Sequence, residues 1–262
     1  MEESSTERAF RERTETRVLR QALKEIGLDA PVSYDEVTDS TNAIATRLAE
    51  RGYPEWTIAA AGHQTAGRGR LGRTWVSSPG HSLLFSVVLR PDIPPDGAAL
   101  ITLLAGASMA RACQSVAGAD VRCKWPNDLV FQGRKVGGIL TEANVRDRKI
   151  QHVVLGVGLN VGEPPSGVDD AGAVDADRTA LLSTFLRRFR EIYPPVGPDF
   201  GPAIVRAYVP LCASIRQRVR AQTMNGTVVE GTAADIDASG NLVVQTGQGT
   251  HTVGFGEIEH LK

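Results

Sequence analysis

The 262-residue chain has three cysteines, far apart at positions 113, 123 and 212. An odd, scattered set of this kind excludes a disulfide framework, and Cys113 and Cys212 sit among apolar residues as buried thiols do. The expectation is a reducing, cytoplasmic setting. An excess of one charge is also missing: 29 basic and 30 acidic side chains leave a net −1. No global field then draws the chain to nucleic acid or an anionic membrane, so anion recognition has to be local. The five histidines show no metal-ligand spacing, and no protein metal site is expected. The pattern G-x-x-x-x-G-K-[ST] is absent, which excludes a P-loop for ATP. The N-terminal stretch "MEESSTERAFRERTETR" lacks the apolar core of a signal peptide. No apolar run is read as reaching the ~20 residues of a membrane span.

What is present begins with "QTAGRGRLGRTW", Gln64 to Trp75. Gly67, Gly69 and Gly72 spell G-x-G-x-x-G, the dinucleotide-binding fingerprint. That reading needs a helix opening at the glycines. Only "RTWVSSPGH" separates Gly72 from the next strand, and Pro79–Gly80 interrupt it, so no crossover helix fits. An arginine–glycine contact to nucleic acid fits poorly as well, because the stretch lies between two core strands rather than in a tail. A small anion fits better. Arginine forks suit carboxylate and phosphate, and glycines let backbone approach a ligand. The arginines repel one another when no anion is present, so a mobile loop is expected.

Periodicity and turn residues outline the rest. Helices are expected over 7–26, stopped by Gly27, and over 39–52, capped by Asp39 or Ser40 and ended by Gly52. Strands are expected at 57–62 and 82–91, a long apolar helix at 97–117, and short strands at 121–125 and 128–131. A turn at 132–135 leads to a ribbon of 136–142 with 149–161. A loop at 162–177 precedes helices at 178–193 and about 200–212. Beyond Ser214 the texture becomes short alternating strands with turns at Asn225–Gly226, Ser239–Gly240 and Gly247–Gly249. The division read from this is a helical extension (1–30), a main α/β domain (31–213) and a small β-barrel (214–262).

Three further stretches bear on function: "KWPNDL" (124–129), "RKVGGILTE" (134–142) and "GVGLNV" (156–161). In order after Q-x-x-G-R-G-R-x-G-R-x-W, they resemble the biotin–protein ligase family, from about residue 36 to the end. The resemblance implies an α/β (α+β) catalytic domain related to class II aminoacyl-tRNA synthetases, with a mixed sheet, and an SH3-like β-barrel at the C-terminus. It implies biotin and ATP, with Mg²⁺, as substrates. Biotinyl-5'-AMP would form and then biotinylate one lysine of a biotin carboxyl carrier protein. On the family's pattern, Ser40, Thr41, Asn42 and Gln64 bond the fused rings of biotin. Gly67, Arg68, Gly69 and Arg70 belong to the closing loop, and Arg70 and Lys135 neutralise carboxylate and α-phosphate. Arg73, Asn127 and Asn160 are assigned with Arg68 to ATP, Trp75 packs beneath loop and ligand, and Asp128 orients the incoming lysine. Gly138, Gly156 and Gly158 admit close approach to the ligand. Gly137 stands where alanine is common. About 35 residues precede the resemblance, too few for the winged helix some members carry, and one amphipathic helix cannot make a helix-turn-helix. No DNA or membrane partner is therefore expected. A homodimer is an expectation that no feature here demands.

Overall fold

The structure is a computed structural model that describes residues 5–193, 199–223, 226–254 and 256–261, with side chains from residue 11. The side chain of Phe10 and residue Asn225 of one expected turn lie outside the described residues. Helix α1 (Ser5–Glu25) is followed by β1 (Val32–Thr38), α2 (Thr41–Glu50) and β2 (Ile58–Gln64). A loop carrying β3 (Gly67–Arg68) and β4 (Thr74–Trp75) leads to β5 (Ser82–Leu89) and α3 (Ala98–Ala117). Strands β6 (Arg122–Lys124), β7 (Asp128–Phe131), β8 (Arg134–Arg146) and β9 (Lys149–Asn160) come next, then α4 (Arg178–Arg190) and α5 (Phe200–Tyr208). The chain ends in β10 (Arg218–Gln222), β11 (Val228–Ile236), β12 (Leu242–Thr246), β13 (Gly249–Val253) and β14 (Glu257–His260).

The first seven-stranded sheet has the order β1-β2-β5-β9-β8-β7-β6. Only β1 and β2 run parallel; every other neighbouring pair is antiparallel. This is the mixed sheet expected. The β1–α2–β2 unit supplies the crossover that a parallel pair requires. Strand β1, "VSYDEVT", escaped the sequence reading because its polar residues mask the alternation. The two-residue ribbon β3–β4 likewise interrupts what was expected to be plain loop.

Helix α3 backs the sheet. Ile101, Leu103, Ala105, Met109 and Cys113 are 0% exposed, and Gly118 ends the helix in the left-handed region at φ 64°. The sequence reading of apolar runs needs correction here. Pro95–Ala117 is 23 residues long and holds an 18-residue window of mean hydropathy 1.3, enough by length and composition to cross a membrane, but 72% of that window is buried inside the fold. The second sheet, order β13-β12-β11-β10-β14, is antiparallel throughout. It docks on the first body, where Trp125 Nε1 donates to Gly240 O at 3.0 Å.

Candidate active site

Alternation along β8 sends Ile139 and Thr141 toward α3, where Thr102 Oγ1 meets Thr141 Oγ1 at 2.9 Å. Gly138, Leu140 and Glu142 therefore face the other way. Register pairs Gly138 with Gly158 and Leu140 with Gly156, so glycines form a flat floor. Trp75 lies on it. A Cβ on Gly158 would come within 2.7 Å of Trp75 Cε2, and one on Gly138 within 3.4 Å of Cζ3. A Cβ on Gly156 would strike Asn42 Oδ1 at 1.9 Å. These glycines thus admit the protein's own side chains to the floor. The indole Nε1–H is buried with no protein acceptor among the described residues.

One wall is the start of α2. Ser40, Thr41 and Asn42 are each 4% exposed. The expected cap is not made by Asp39 or Ser40: Ser40 takes the cap position with no side-chain bond to the helix. The first helical N–H, on Thr41, instead donates to Gln64 Oε1 at 2.7 Å from β2. Asp39 accepts from Ser40 N at 2.7 Å, and that bond holds its carboxyl below the usual range. Ser86 Oγ, fully buried on β5, lies 2.6 Å from Asn42 Oδ1 and 2.8 Å from Thr41 Oγ1. Asn42 Nδ2 donates to Glu142 Oε2 at 2.6 Å.

The arginine–glycine stretch arches over the floor as a lid. Gly67 pairs with Trp75 and Arg68 with Thr74, and the tip turns at Leu71 (φ 54°) and Gly72 (φ 76°). Each of its arginines has an acceptor. Arg68 Nη2 is 3.2 Å from Glu142 Oε2. Arg70 Nη1 is 3.2 Å from Asn127 Oδ1 and 3.3 Å from Gly256 O. Arg73 pairs with Glu257. Burial pulls the Arg70 guanidinium below its ordinary value, opposed by Glu257 and Asp128.

The far wall is the turn between β6 and β7, with a cis Trp125–Pro126 bond. Trp125 N–H donates to Ser214 Oγ at 3.1 Å and Asn127 Nδ2 to Ile139 O at 3.0 Å. Lys135 Nζ sits 2.6 Å from Asp128 Oδ1. The second sheet completes the rim with Arg220, Gln222, Val228, Glu257, Ile258 and Glu259. The cleft has a volume of about 580 Å³, within the range of small-molecule sites.

This one cavity gathers Ser40, Thr41, Asn42, Gln64, Arg68, Gly69, Arg70, Arg73, Trp75, Asn127, Asp128, Lys135, Gly138, Gly156 and Gly158. Two assigned residues are not brought to it. Gly67 is packed against Trp75, where a Cβ would meet Trp75 O at 2.5 Å. Asn160 is 2% exposed at the end of β9 and gives Nδ2 to Gly172 O at 2.9 Å, so it clasps the 162–177 loop. Sequence reasoning missed Ser86, Lys124, Glu142 and Glu257. Lys124 and Glu142 were visible as the ends of two motifs; Ser86 and Glu257 come from distant elements with no local signal.

Residues 34–160 match the Biotin/lipoate A/B protein ligase family, and residues 215–261 match the biotin protein ligase C terminal domain. The chain is 34% identical over 237 residues to the biotin--[acetyl-CoA-carboxylase] ligase of Mycobacterium tuberculosis, covering 86% of this chain and 87% of that one. It is 32% identical over 252 residues to the bifunctional ligase/repressor BirA of Bacillus subtilis, covering 92% and 77%. Among solved structures, a variant of the Aquifex aeolicus biotin protein ligase in complex with biotin superposes with a TM-score of 0.74 at 25% identity, covering 88% of this chain and 99% of that chain. Fold and site thus define a ligase of the biotin/lipoate class. With the second matched domain and these relatives, the chain belongs to the biotin protein ligase family.

Proposed function

We propose that the chain condenses biotin with MgATP to biotinyl-5'-AMP and pyrophosphate, then transfers biotin to one lysine of a biotin carboxyl carrier domain. One observation carries this. Arg68, Arg70 and Lys135 line the same cleft as the hydrogen-bonding set Ser40, Thr41, Asn42 and Gln64. An uncharged polar head and an anionic tail fit its two parts. A biotin carboxylate oxygen bonds the α-phosphorus while the bond to the pyrophosphate oxygen breaks. Two anions meet in that step, so cations aimed at both are the first requirement. The lid then keeps water from the mixed anhydride.

In the second step the acceptor nitrogen attacks the carbonyl carbon, AMP leaves with the bonding pair, and the amine loses a proton. Only about 0.04% of a free lysine is neutral at pH 7. Asp128 is positioned to help. It holds Lys135 at 2.6 Å, and on exchanging that partner it can orient the acceptor ammonium or take its proton. Mg²⁺ enters as part of the nucleotide substrate, bound to its phosphates. We also place the division between catalytic and C-terminal parts near residue 214, and the enzyme in the cytoplasm. A homodimer through a sheet edge is tested by sedimentation. No DNA-binding role is proposed.

Biotin-dependent exchange of pyrophosphate into ATP tests the reading. Lipoate ligation is the rival within the same matched family, and the biotin-type C-terminal domain at 215–261 favours biotin. Turnover with lipoate or octanoate and none with biotin would refute the proposal.

A further inference from the structure

The motif R-K-x-x-G-I-L-x-E closes on Glu142, and the mechanism above gives that residue no part. Its side chain lies on the cavity face of β8, one alternation beyond Leu140. A single oxygen, Oε2, accepts from Asn42 Nδ2 at 2.6 Å and pairs with Arg68 Nη2 at 3.2 Å. Asn42 belongs to the wall proposed to hold the uncharged head of the substrate. Arg68 belongs to β3, a strand of the lid. One carboxylate oxygen therefore joins the wall at Asn42 to the lid strand at Arg68.

The amide of Asn42 is held at both ends. Ser86 Oγ faces its Oδ1 at 2.6 Å, while Glu142 faces its nitrogen. An ionised carboxylate only accepts, so the nitrogen must turn toward it and the oxygen toward the Ser86 hydroxyl. Glu142 thereby fixes which way round the amide lies. The bond to Asn42 is short and charge-assisted, the stronger of the two. The Arg68 end is weaker, because the side chains of Arg68 and Glu142 are 44% and 38% exposed. We infer that Glu142 is a positioning residue that couples seating of the substrate head at Asn42 to closure of the lid through Arg68.

This rests on the adenylation reading, and the experiment separates the two. Biotin-dependent exchange by the unmodified protein tests adenylation itself. Two variants then test Glu142. Glu142→Ala removes both contacts; biotin KM should rise about 10-fold or more, the size of one charge-assisted bond, with kcat within about 3-fold. Glu142→Gln keeps an oxygen for Asn42 but drops the charge facing Arg68; release of preformed biotinyl-5'-AMP should quicken about 2–5-fold, the size of an exposed ion pair. On an Arg68→Ala background, Glu142→Gln should add less than it does alone. Additive effects on release, or a fall in melting temperature and kcat with KM and release unchanged, would overturn the inference while leaving adenylation intact.

Discussion

Substituting Gly158 by alanine loads the floor beneath Trp75. The new Cβ would sit 2.7 Å from Trp75 Cε2, where ordinary contact begins at 3.4 Å. The difference, 3.4 − 2.7, requires a retreat of about 0.7 Å. Strand β9 cannot supply it, because Gly158 is paired with Leu84 on one side and Gly138 on the other. The indole must lift instead, and it carries β4, to which the lid strand with Arg68 is paired. Misplacing a reacting group by about 1 Å can lower a rate about 100-fold, so kcat/KM for biotin should fall about 10- to 100-fold. Stability should respond far less. Overpacking costs about 1–3 kcal/mol, while removing a strand glycine offsets about 0.5–1 kcal/mol of that. At about 2–4 °C per kcal/mol for a chain of this size, the melting temperature should drop by less than about 10 °C. Pyrophosphate exchange and thermal unfolding on the same preparation measure both. Adding Trp75→Phe, a smaller ring, should recover part of the lost kcat/KM. Unchanged kcat/KM in Gly158→Ala would refute the reasoning.

Lys135→Ala should reduce biotin-dependent exchange about 100-fold or more but shift stability by no more than about 1 kcal/mol, because the Lys135 side chain is 37% exposed; equal losses in activity and stability would argue for a structural lysine. Glu257→Gln removes the Arg73 partner on the second sheet, and limited proteolysis between residues 69 and 73 should quicken with little change in melting temperature. Burial, and then nearby Lys124, depress the His260 ring below its ordinary value. Between the folded value and the unfolded ~6.5, the unfolded chain binds more protons, so stability falls as pH drops through ~6.5 and levels below the folded value. His260→Gln should flatten part of that slope in urea unfolding between pH ~5 and ~8; the His152 ring, also depressed, keeps the remainder.

Most of the fold was legible because its elements have strong local patterns. The apolar run of α3, the continuous apolar stretches of β5 and β9 and the Gln132–Gly133 turn, both residues at positive φ, could be read within short windows. What escaped depends on contacts across the chain. The cap of α2 comes from Gln64, 23 residues from Thr41, and no local rule selects it over Ser40. Strand β1 is visible only by its pairing with β2. At the site, the lid, Lys135 and Asp128 were marked by motifs, whereas Glu257 reaches the lid only because the second sheet docks there. Asn160 shows the converse. It stands in a motif, but its buried amide serves the 162–177 loop.

Helix α3 has a further consequence for how the chain is made. It packs against β6, β7, β8, β9, α4 and α5, and every one of these follows it in the chain. From its end at Ala117 to the end of α5 at Tyr208, 208 − 117 gives 91 residues still to be translated. At about 5–20 residues per second that takes about 5–18 s. Through that interval the nascent polypeptide carries an apolar segment long enough to span a bilayer with its set of burial partners still incomplete. The ribosome-bound intermediate is thus a natural client for chaperones, and it is the stage at which overproduction of this enzyme is most exposed to aggregation.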